Sequence, residues 1–145
     1  MRAIHSVAVT ALTVALACGG DGNGPNRNQF VGTWDATSLE FTNKANPAQI
    51  VDVIAAGATF VASLEADGTY QIILTVPGQA PEVSTGTWSA SADILTFKES
   101  QVSTTQFTWS LSGNTLTLSG ADSDFDFDGD DVNEPAKLGG VFVRR

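Results

Sequence analysis

Residues 86–98, GTWSASADILTFK, decide the fold because polar and apolar side chains alternate on both sides of a short turn. A two-residue turn at Ala92-Asp93 makes this stretch a β-hairpin whose register follows from the turn. The predicted cross-strand pairs are Ser91 with Ile94, Ala90 with Leu95, and Trp88 with Phe97. One face then carries Trp88, Ala90, Leu95 and Phe97, and the other carries Ser89, Ser91, Ile94 and Thr96. The stretch therefore predicts an antiparallel hairpin with one buried face.

Residues 107–120, FTWSLSGNTLTLSG, repeat this arrangement, with Trp109 at the position of Trp88. A turn at Gly113-Asn114 suits the positive φ angles of a tight hairpin. It gathers on one face the apolar side chains of Phe107, Trp109, Leu111, Leu116 and Leu118. The opposite face carries Ser110, Ser112, Thr115 and Thr117. Two copies indicate a recurring hairpin template and not a solenoid.

A third hairpin is predicted in residues 58–76, ATFVASLEADGTYQIILTV. A two-residue loop at Asp67-Gly68 would mix polar and apolar residues on both faces. A three-residue loop, Ala66-Asp67-Gly68, gives Gly68 the left-handed conformation that such a loop needs. It also places together the side chains of Phe60, Ala62, Leu64, Tyr70, Ile72 and Leu74.

Further strands are predicted around residues 30–41, FVGTWDATSLEF, and residues 136–145, AKLGGVFVRR. Residues 47–58, PAQIVDVIAAGA, predict a short helix or an irregular connection, because their apolar residues cluster on one side of a helical turn. Tight turns favour pairing between sequential strands. A meander of eight or nine strands tends to close, since closure removes its exposed edges. We therefore predict an all-β domain that forms an antiparallel up-and-down β-barrel, with a β-sandwich as the alternative.

Four stretches together resemble bacterial lipocalin-like domain proteins, namely FVGTWDATSLEF, EADGTYQI, TGTWSASADILTF and FTWSLSGNTLTL. Residues 125–136, FDFDGDDVNEPA, followed by a terminal strand, are similar to the closing hairpin of these proteins. The resemblance implies a lipocalin-like barrel over residues 30–145, exported as a lipoprotein, that binds a small apolar molecule. It also implies that Trp34, in the first GTW, lies at the closed end of the barrel.

The N-terminal residues have the pattern of a secretory signal peptide. Arg2 and His5 precede the apolar run VAVTALTVALA at residues 7–17. The run is too short for a membrane span, which needs roughly 20 apolar residues. We therefore predict a signal peptide at residues 1–17, followed by a flexible Gly- and Asn-rich tether at residues 18–29.

The end of the signal peptide, ALAC, resembles the lipobox of bacterial lipoproteins, with Leu16, Ala17 and Cys18 in the matching positions. In that family the cysteine is lipidated and becomes the mature N-terminus. Cys18 is the only cysteine, so it cannot form an intramolecular disulfide. Gly19 stands where some lipoproteins carry the Asp that retains them in the inner membrane, which favours the outer membrane. We expect a lipid-anchored envelope protein facing the periplasm or the surface, and a secreted protein with a free thiol is the alternative.

Removal of the signal peptide would leave the mature chain without histidine, because His5 is the only histidine. With Cys18 acylated, Ser-His-Asp catalysis, Cys-His catalysis and zinc sites of His and Cys are excluded. The candidates for a carboxylate-pair enzyme are Glu65, Glu82 and Glu99. They are assigned to exposed faces without a surrounding motif, which is the usual position of surface charge. We therefore predict that the protein is not an enzyme.

The chain is acidic, with a formal net charge of −9 at pH 7 from 16 acidic and 7 basic residues. Loss of Arg2 with the signal peptide would make the mature chain one unit more negative. Nucleic acids and anionic lipid surfaces do not fit as partners, because the sequence has no basic patch.

The shared apolar face of the hairpins is the candidate ligand site. Small eight-stranded barrels are either filled by side chains or hold one small ligand. Two interpretations therefore stay open: a ligand-binding barrel, and a filled barrel that serves as a structural or interaction module of the envelope. An open cavity between Trp88 and Trp109 would favour the first. The predicted lining residues are Phe60, Tyr70, Ile72, Trp88, Phe97, Phe107 and Trp109.

The acidic stretch at residues 124–134, DFDFDGDDVNE, admits a calcium loop or a strand. Four residues match positions 1, 3, 5 and 6 of an EF-hand loop: Asp124, Asp126, Asp128 and Gly129. Position 12, however, is Pro135 in place of Glu. In a strand, Phe125 and Phe127 face inward, and alternate carboxylates lie about 6.6–7 Å apart, too far to share one ion. We therefore predict a closing hairpin, and the calcium candidates that remain in its turn are Asp128, Asp130, Asp131 and Glu134.

Overall fold

The computed structural model describes residues 24–100 and 103–145, so the predicted signal peptide and Cys18 lie outside the described part. Within it the chain forms nine strands and one 3₁₀ helix, Arg27–Gln29, and no helix there is long and apolar enough to cross a membrane. The strands are β1 (Gly32–Asn43), β2 (Ile50–Asp52), β3 (Thr59–Leu64), β4 (Thr69–Thr75), β5 (Glu82–Ala90), β6 (Ile94–Glu99), β7 (Ser103–Ser112), β8 (Thr115–Phe125) and β9 (Glu134–Arg144).

Eight of these strands form a closed antiparallel barrel. From β3 to β9 each strand pairs with the next in the chain, while β1 pairs with β3 on one side and with β9 on the other. The short strand β2 is additional, and it lies beside Glu40–Thr42 of β1. This closure confirms the predicted up-and-down, lipocalin-like barrel of eight to nine strands and excludes the sandwich, in which the first and last strands would not pair.

The predicted hairpin registers are confirmed. The observed cross-strand partners include Trp88 and Phe97, Leu111 and Leu116, and Leu64 and Tyr70. Gly68 has a φ of 89°, the left-handed conformation expected of the three-residue loop. These registers hold because a slip of one residue would turn every buried side chain to the solvent face.

The prediction of a short helix or irregular connection in residues 47–58 misses a strand, since Ile50–Asp52 form β2. The Asp52 carboxylate accepts hydrogen bonds from the backbone N–H groups of Leu39, at 3.1 Å, and of Ile54, at 2.9 Å. These bonds tie the segment to β1 and turn the chain directly after β2, so residues 53–57 form turns and not a regular helix. Ile50, expected on an apolar helix face, is 54% exposed.

A plug of aromatic side chains fills the end of the barrel that carries the loop Ala66–Gly68, and this end is called the closed end. Phe30, two residues before the start of β1, is fully buried. Its ring lies 6.1 Å from that of Trp88 and 4.8 Å from that of Trp109, in edge-to-face arrangements. The indole N–H of Trp34 donates to the Phe30 carbonyl over 2.8 Å. The segment before β1 therefore closes this end.

The tether predicted at residues 18–29 falls partly within the described residues. Arg27–Gln29 form the 3₁₀ helix, and Asn26 caps it by accepting a hydrogen bond from the Asn28 N–H. The Arg27 guanidinium lies 4.7 Å from the centre of the Trp88 ring and donates to the Trp88 carbonyl. The last residues of the predicted tether thus pack on the barrel.

Candidate functional site

A cavity of about 180 Å³ lies inside the barrel. Its wall is mainly apolar and aromatic. Among its lining residues are Trp34, Leu39, Phe60, Ala62, Leu64, Tyr70, Ile72, Phe97, Phe107, Leu116, Leu118, Leu138 and Phe142. Residues alternate between the inner and outer faces of barrel strands, so these apolar side chains reach one space from seven of the eight barrel strands, and β5 contributes Ser84. The barrel interior is therefore not completely filled.

Five of the seven predicted lining residues border this cavity, namely Phe60, Tyr70, Ile72, Phe97 and Phe107. The other two, Trp88 and Trp109, do not border it. They contact Phe30 in the plug, and their indole N–H groups donate to the carbonyls of Glu65 and Ser91, each over 3.1 Å. The expected space between the two tryptophans is occupied by the plug. Trp34 lies at the closed end, as the resemblance implied, and also contributes to the cavity wall.

The opposite end of the barrel, called the mouth, carries the β4–β5 loop (residues 76–81) and the β8–β9 loop (residues 126–133). The exposed residue of the cavity wall, Ser103, lies on this side, at the start of β7. Polar residues lie in the wall on this side: Ser84, Glu99, Ser103 and Thr105. Glu99 is directly opposite Ser103 across β6 and β7, and Ser103 is exposed. The wall therefore changes from apolar to polar where it meets solvent.

The structure corrects the prediction for Glu99, which placed this residue on an exposed face as a surface charge. Along β6 it shares the inner face with Leu95 and Phe97, and it is half-buried in the cavity wall. The Ser84 hydroxyl donates to Glu99 Oε1 over 2.9 Å. The predicted register could have located Glu99, since extending the alternation of Leu95 and Phe97 by one step reaches it. Glu65 and Glu82 are exposed and do not line the cavity, which agrees with surface charge.

A second cluster of polar side chains lies in the β8–β9 loop. One carboxylate oxygen from each of four residues lies within 4.8 Å of the others: Asp126, Asp128, Asp130 and Glu134. Asp131, one of the four predicted ligands, is not in this group, and Asp126 takes its place. The Asp131 backbone has a left-handed φ of 67°, and its N–H donates to Asp126 Oδ2 over 3.0 Å.

Hydrogen bonds to the backbone organise this loop. Asp126 Oδ1 accepts from the Gly129 N–H over 2.6 Å, and these backbone bonds lower the pKa of Asp126. Glu134 accepts from the Phe127 N–H over 2.9 Å. Loss of solvent around Asp128, followed by repulsion from neighbouring carboxylates, raises the pKa of Asp128. Asp128 and Asp130 also accept backbone N–H bonds, so all four carboxylates stabilise the turn of the chain.

The structure changes the register in which this loop is compared with a calcium loop. Counted from Asp126, the four clustered acids occupy positions 1, 3, 5 and 9. Of the two loop residues with positive φ, Asp131 occupies position 6 and Gly129 occupies position 4. Position 12 is then Lys137, where an EF-hand carries a bidentate Glu. Lys137 instead pairs with Asp122 at 2.7 Å, and together with Lys44 it lowers the pKa of Asp122 to about 2. The loop thus offers oxygen ligands but lacks the bidentate residue.

The predicted closing hairpin is confirmed in outline, with Phe125 opposite Glu134 across β8 and β9. The strand ends at Phe125, so Phe127 lies in the loop and not on the strand as predicted. Both rings remain half-buried. Phe125 stacks on Phe41 at 4.5 Å, and the Phe127 ring lies 5.0 Å from the Phe125 ring.

No family model and no curated protein matches this chain. Among solved structures, the chain is similar to one described as "Structure of EF1p2_mFAP2b bound to DFHBI", with a TM-score of 0.45 and 17% sequence identity. That match covers 81% of this chain and 95% of the other. The class of the protein follows from its own strand pairing: it is a closed, eight-stranded, antiparallel barrel of the lipocalin-like kind.

Proposed function

We propose that the protein is a lipid-anchored protein of the bacterial envelope that binds a small apolar molecule inside its barrel. The observation that carries this proposal is the cavity of about 180 Å³ with its apolar wall. An eight-stranded barrel that serves only as a structural module can fill its interior with side chains. An apolar cavity of about 150 Å³ in another protein binds benzene, so a space of this size is large enough for a ligand.

The size of the cavity limits the ligand. Pockets for drug-sized molecules have volumes of roughly 300–1,000 Å³. The cavity here, at about 180 Å³, suits a molecule of about ten non-hydrogen atoms, such as a one- or two-ring aromatic. Aromatic side chains such as Phe97 and Phe107 would pack on such a ligand edge-to-face or offset-stacked.

Binding without catalysis fits the side chains of the wall. Of the described residues that line the cavity, Glu99 and Tyr70 have ionisable side chains, and the wall contains no histidine, cysteine or lysine. The Ser84 hydroxyl donates to Glu99, but the described wall holds none of the histidine, cysteine or lysine side chains that usually form or activate a nucleophile. We therefore propose a carrier or sensor of a small molecule in preference to an enzyme.

Naphthalene, a lipophilic fluorophore of suitable size, should bind saturably to the barrel domain. We expect a dissociation constant on the order of 10–100 µM, or about −6 kcal/mol, as is usual for a ligand of about ten atoms. Ala62→Leu should weaken binding about tenfold or more, because Ala62 lines the cavity and the added carbons would occupy it. Fluorescence titration measures both.

The matched control is Ala66→Leu, which adds the same carbons in the exposed β3–β4 loop and should leave the affinity unchanged. Absence of saturable naphthalene binding, or equal binding by both variants, would favour the filled-barrel interpretation.

The proposed anchor rests on the sequence around Cys18, and one feature of the barrel supports it. The described chain enters at the closed end, where Arg27 and Phe30 pack. A lipid attached at Cys18 would therefore join the barrel at the end opposite the mouth. An anchored barrel would keep its cavity accessible from the aqueous side, in the periplasm or at the surface.

Cys18→Ser should abolish lipidation of the full-length chain expressed in a bacterial host. The hydroxyl of serine cannot form the thioether that attaches the diacylglycerol to the protein. Incorporation of radiolabelled palmitate and partition into a detergent phase report the modification, and Ser6→Ala, in the same signal peptide, is the control. Equal labelling of wild type and Cys18→Ser would overturn the anchor.

A further inference from the structure

Glu99 is the carboxylate on the cavity wall, and its surroundings indicate which apolar molecules the cavity takes. On β6 it follows Leu95 and Phe97 on the inner face. Ser84, on β5, donates a hydrogen bond to Glu99 Oε1 over 2.9 Å, and Ser103 is directly opposite on β7. A carboxylate and two hydroxyl groups thus form one polar cluster at the edge of an otherwise apolar wall.

The charge of this cluster is not neutralised within the wall. Of the described residues that line the cavity, none is a lysine or an arginine. A ligand carboxylate beside Glu99 would be repelled without a cation to offset the repulsion. A ligand ammonium group would instead form charge-assisted hydrogen bonds to Glu99, which are stronger than those between neutral groups. The acidic chain, with a formal charge of −9, adds to the same preference.

We propose that the cavity takes small primary amines with an apolar body. The ammonium group donates to Glu99 and to the neighbouring hydroxyl oxygens, while the body packs against Phe97 and Phe107. This inference rests on the proposed ligand-binding function and names its ligand class. At about 180 Å³ the cavity holds one aromatic ring with a short chain. Because Glu99 is only half-buried, water screens the ion pair in part and limits its effect to about tenfold in affinity.

Three probes with the same ring and nearly the same length test the proposal: phenethylamine, phenethyl alcohol and phenylacetate. Titration calorimetry at pH 7 and low salt should show that the amine binds about tenfold more tightly than the alcohol, and that phenylacetate binds most weakly. In Glu99→Gln the amine should bind no more tightly than the alcohol. Naphthalene, which has no hydrogen-bond donor for Glu99, should bind Glu99→Gln within about twofold of wild type, and this binding also shows that the variant folds.

Glu82→Gln is the matched control, because Glu82 is an exposed acid at the start of β5 that does not line the cavity. It should preserve the preference for the amine. The inference is overturned if the alcohol binds as tightly as the amine, or if Glu82→Gln weakens amine binding as much as Glu99→Gln. If none of the three probes binds while naphthalene still does, the inference about amines is overturned and the proposed function is not. Failure of naphthalene as well overturns the proposed function.

Discussion

Replacing Trp34 by alanine is expected to lower the free energy of unfolding by about 3–5 kcal/mol, the usual cost of truncating a large buried aromatic side chain. Trp34 is the largest of the fully buried side chains, with 1% of its surface exposed. Its N–H donates to the Phe30 carbonyl over 2.8 Å, and the Arg144 guanidinium lies 4.5 Å from the ring centre. The variant would lose packing, a buried hydrogen bond and a cation–π contact together.

Urea denaturation followed by far-ultraviolet circular dichroism measures this loss. Trp34→Phe retains most of the ring but not the N–H donor, so we expect it to cost less, about 1–3 kcal/mol. Trp109→Ala is the comparison, because Trp109 also donates to a backbone carbonyl but is only half-buried. Its loss should be clearly smaller than that of Trp34→Ala. Equal losses would contradict the assignment of Trp34 to the core of the closed end.

The faces of the hairpins could be predicted from the sequence because each strand alternates regularly between polar and apolar residues. In residues 107–118 every apolar side chain falls on one face and every polar one on the other, so only one register buries the apolar set. The observed pairing of Leu111 with Leu116 is that register. Closure into a barrel then followed from the number of strands and the shortness of their turns.

Which of the inward-facing side chains border the cavity could not be predicted in the same way. Trp88 and Phe97 are cross-strand partners, yet Phe97 lines the cavity while Trp88 packs on Phe30. Alternation reports which face a residue occupies, but not which other side chains its ring meets inside the barrel. Phe30 precedes the first strand, and its burial depends on contacts with residues far along the chain. Its sequence neighbours therefore gave no sign of the plug.

The acidic loop was difficult to predict for a local reason. The alternation of Asp and Phe suggests that the strand continues through Phe127. In the structure β8 ends two residues earlier, because the Asp126 carboxylate accepts the N–H groups of Gly129 and Asp131 and so turns the chain. Asp side chains compete in this way with strand pairing. The four carboxylates that come together are therefore set by the turn and not by the strand period.

Gly86→Ala is expected to lower the free energy of unfolding by about 3 kcal/mol or more, at the upper end of the cost of overpacking. Gly86 lies between Tyr70 on β4 and Glu99 on β6. An added Cβ would overlap the Lys98 carbonyl oxygen and lie 2.9 Å from both the Lys98 carbonyl carbon and the Tyr70 ring. Backbone atoms cannot rotate away as a side chain can, so β5 and β6 would have to separate.

The cause of this loss can be separated from a general effect of replacing glycine. Gly78→Ala is the control, because Gly78 has a φ of 79° in the β4–β5 loop and no atom within 4 Å of an added Cβ. That variant bears only the cost of the left-handed conformation, roughly 1–2 kcal/mol.

Urea denaturation should therefore distinguish the two variants. Naphthalene binding should weaken in Gly86→Ala alone, because Tyr70 and Glu99 both line the cavity. Similar losses of stability in the two variants would show that β5 and β6 can absorb the methyl group. Tyr70 and Glu99 would then not be held rigidly by the close approach at Gly86.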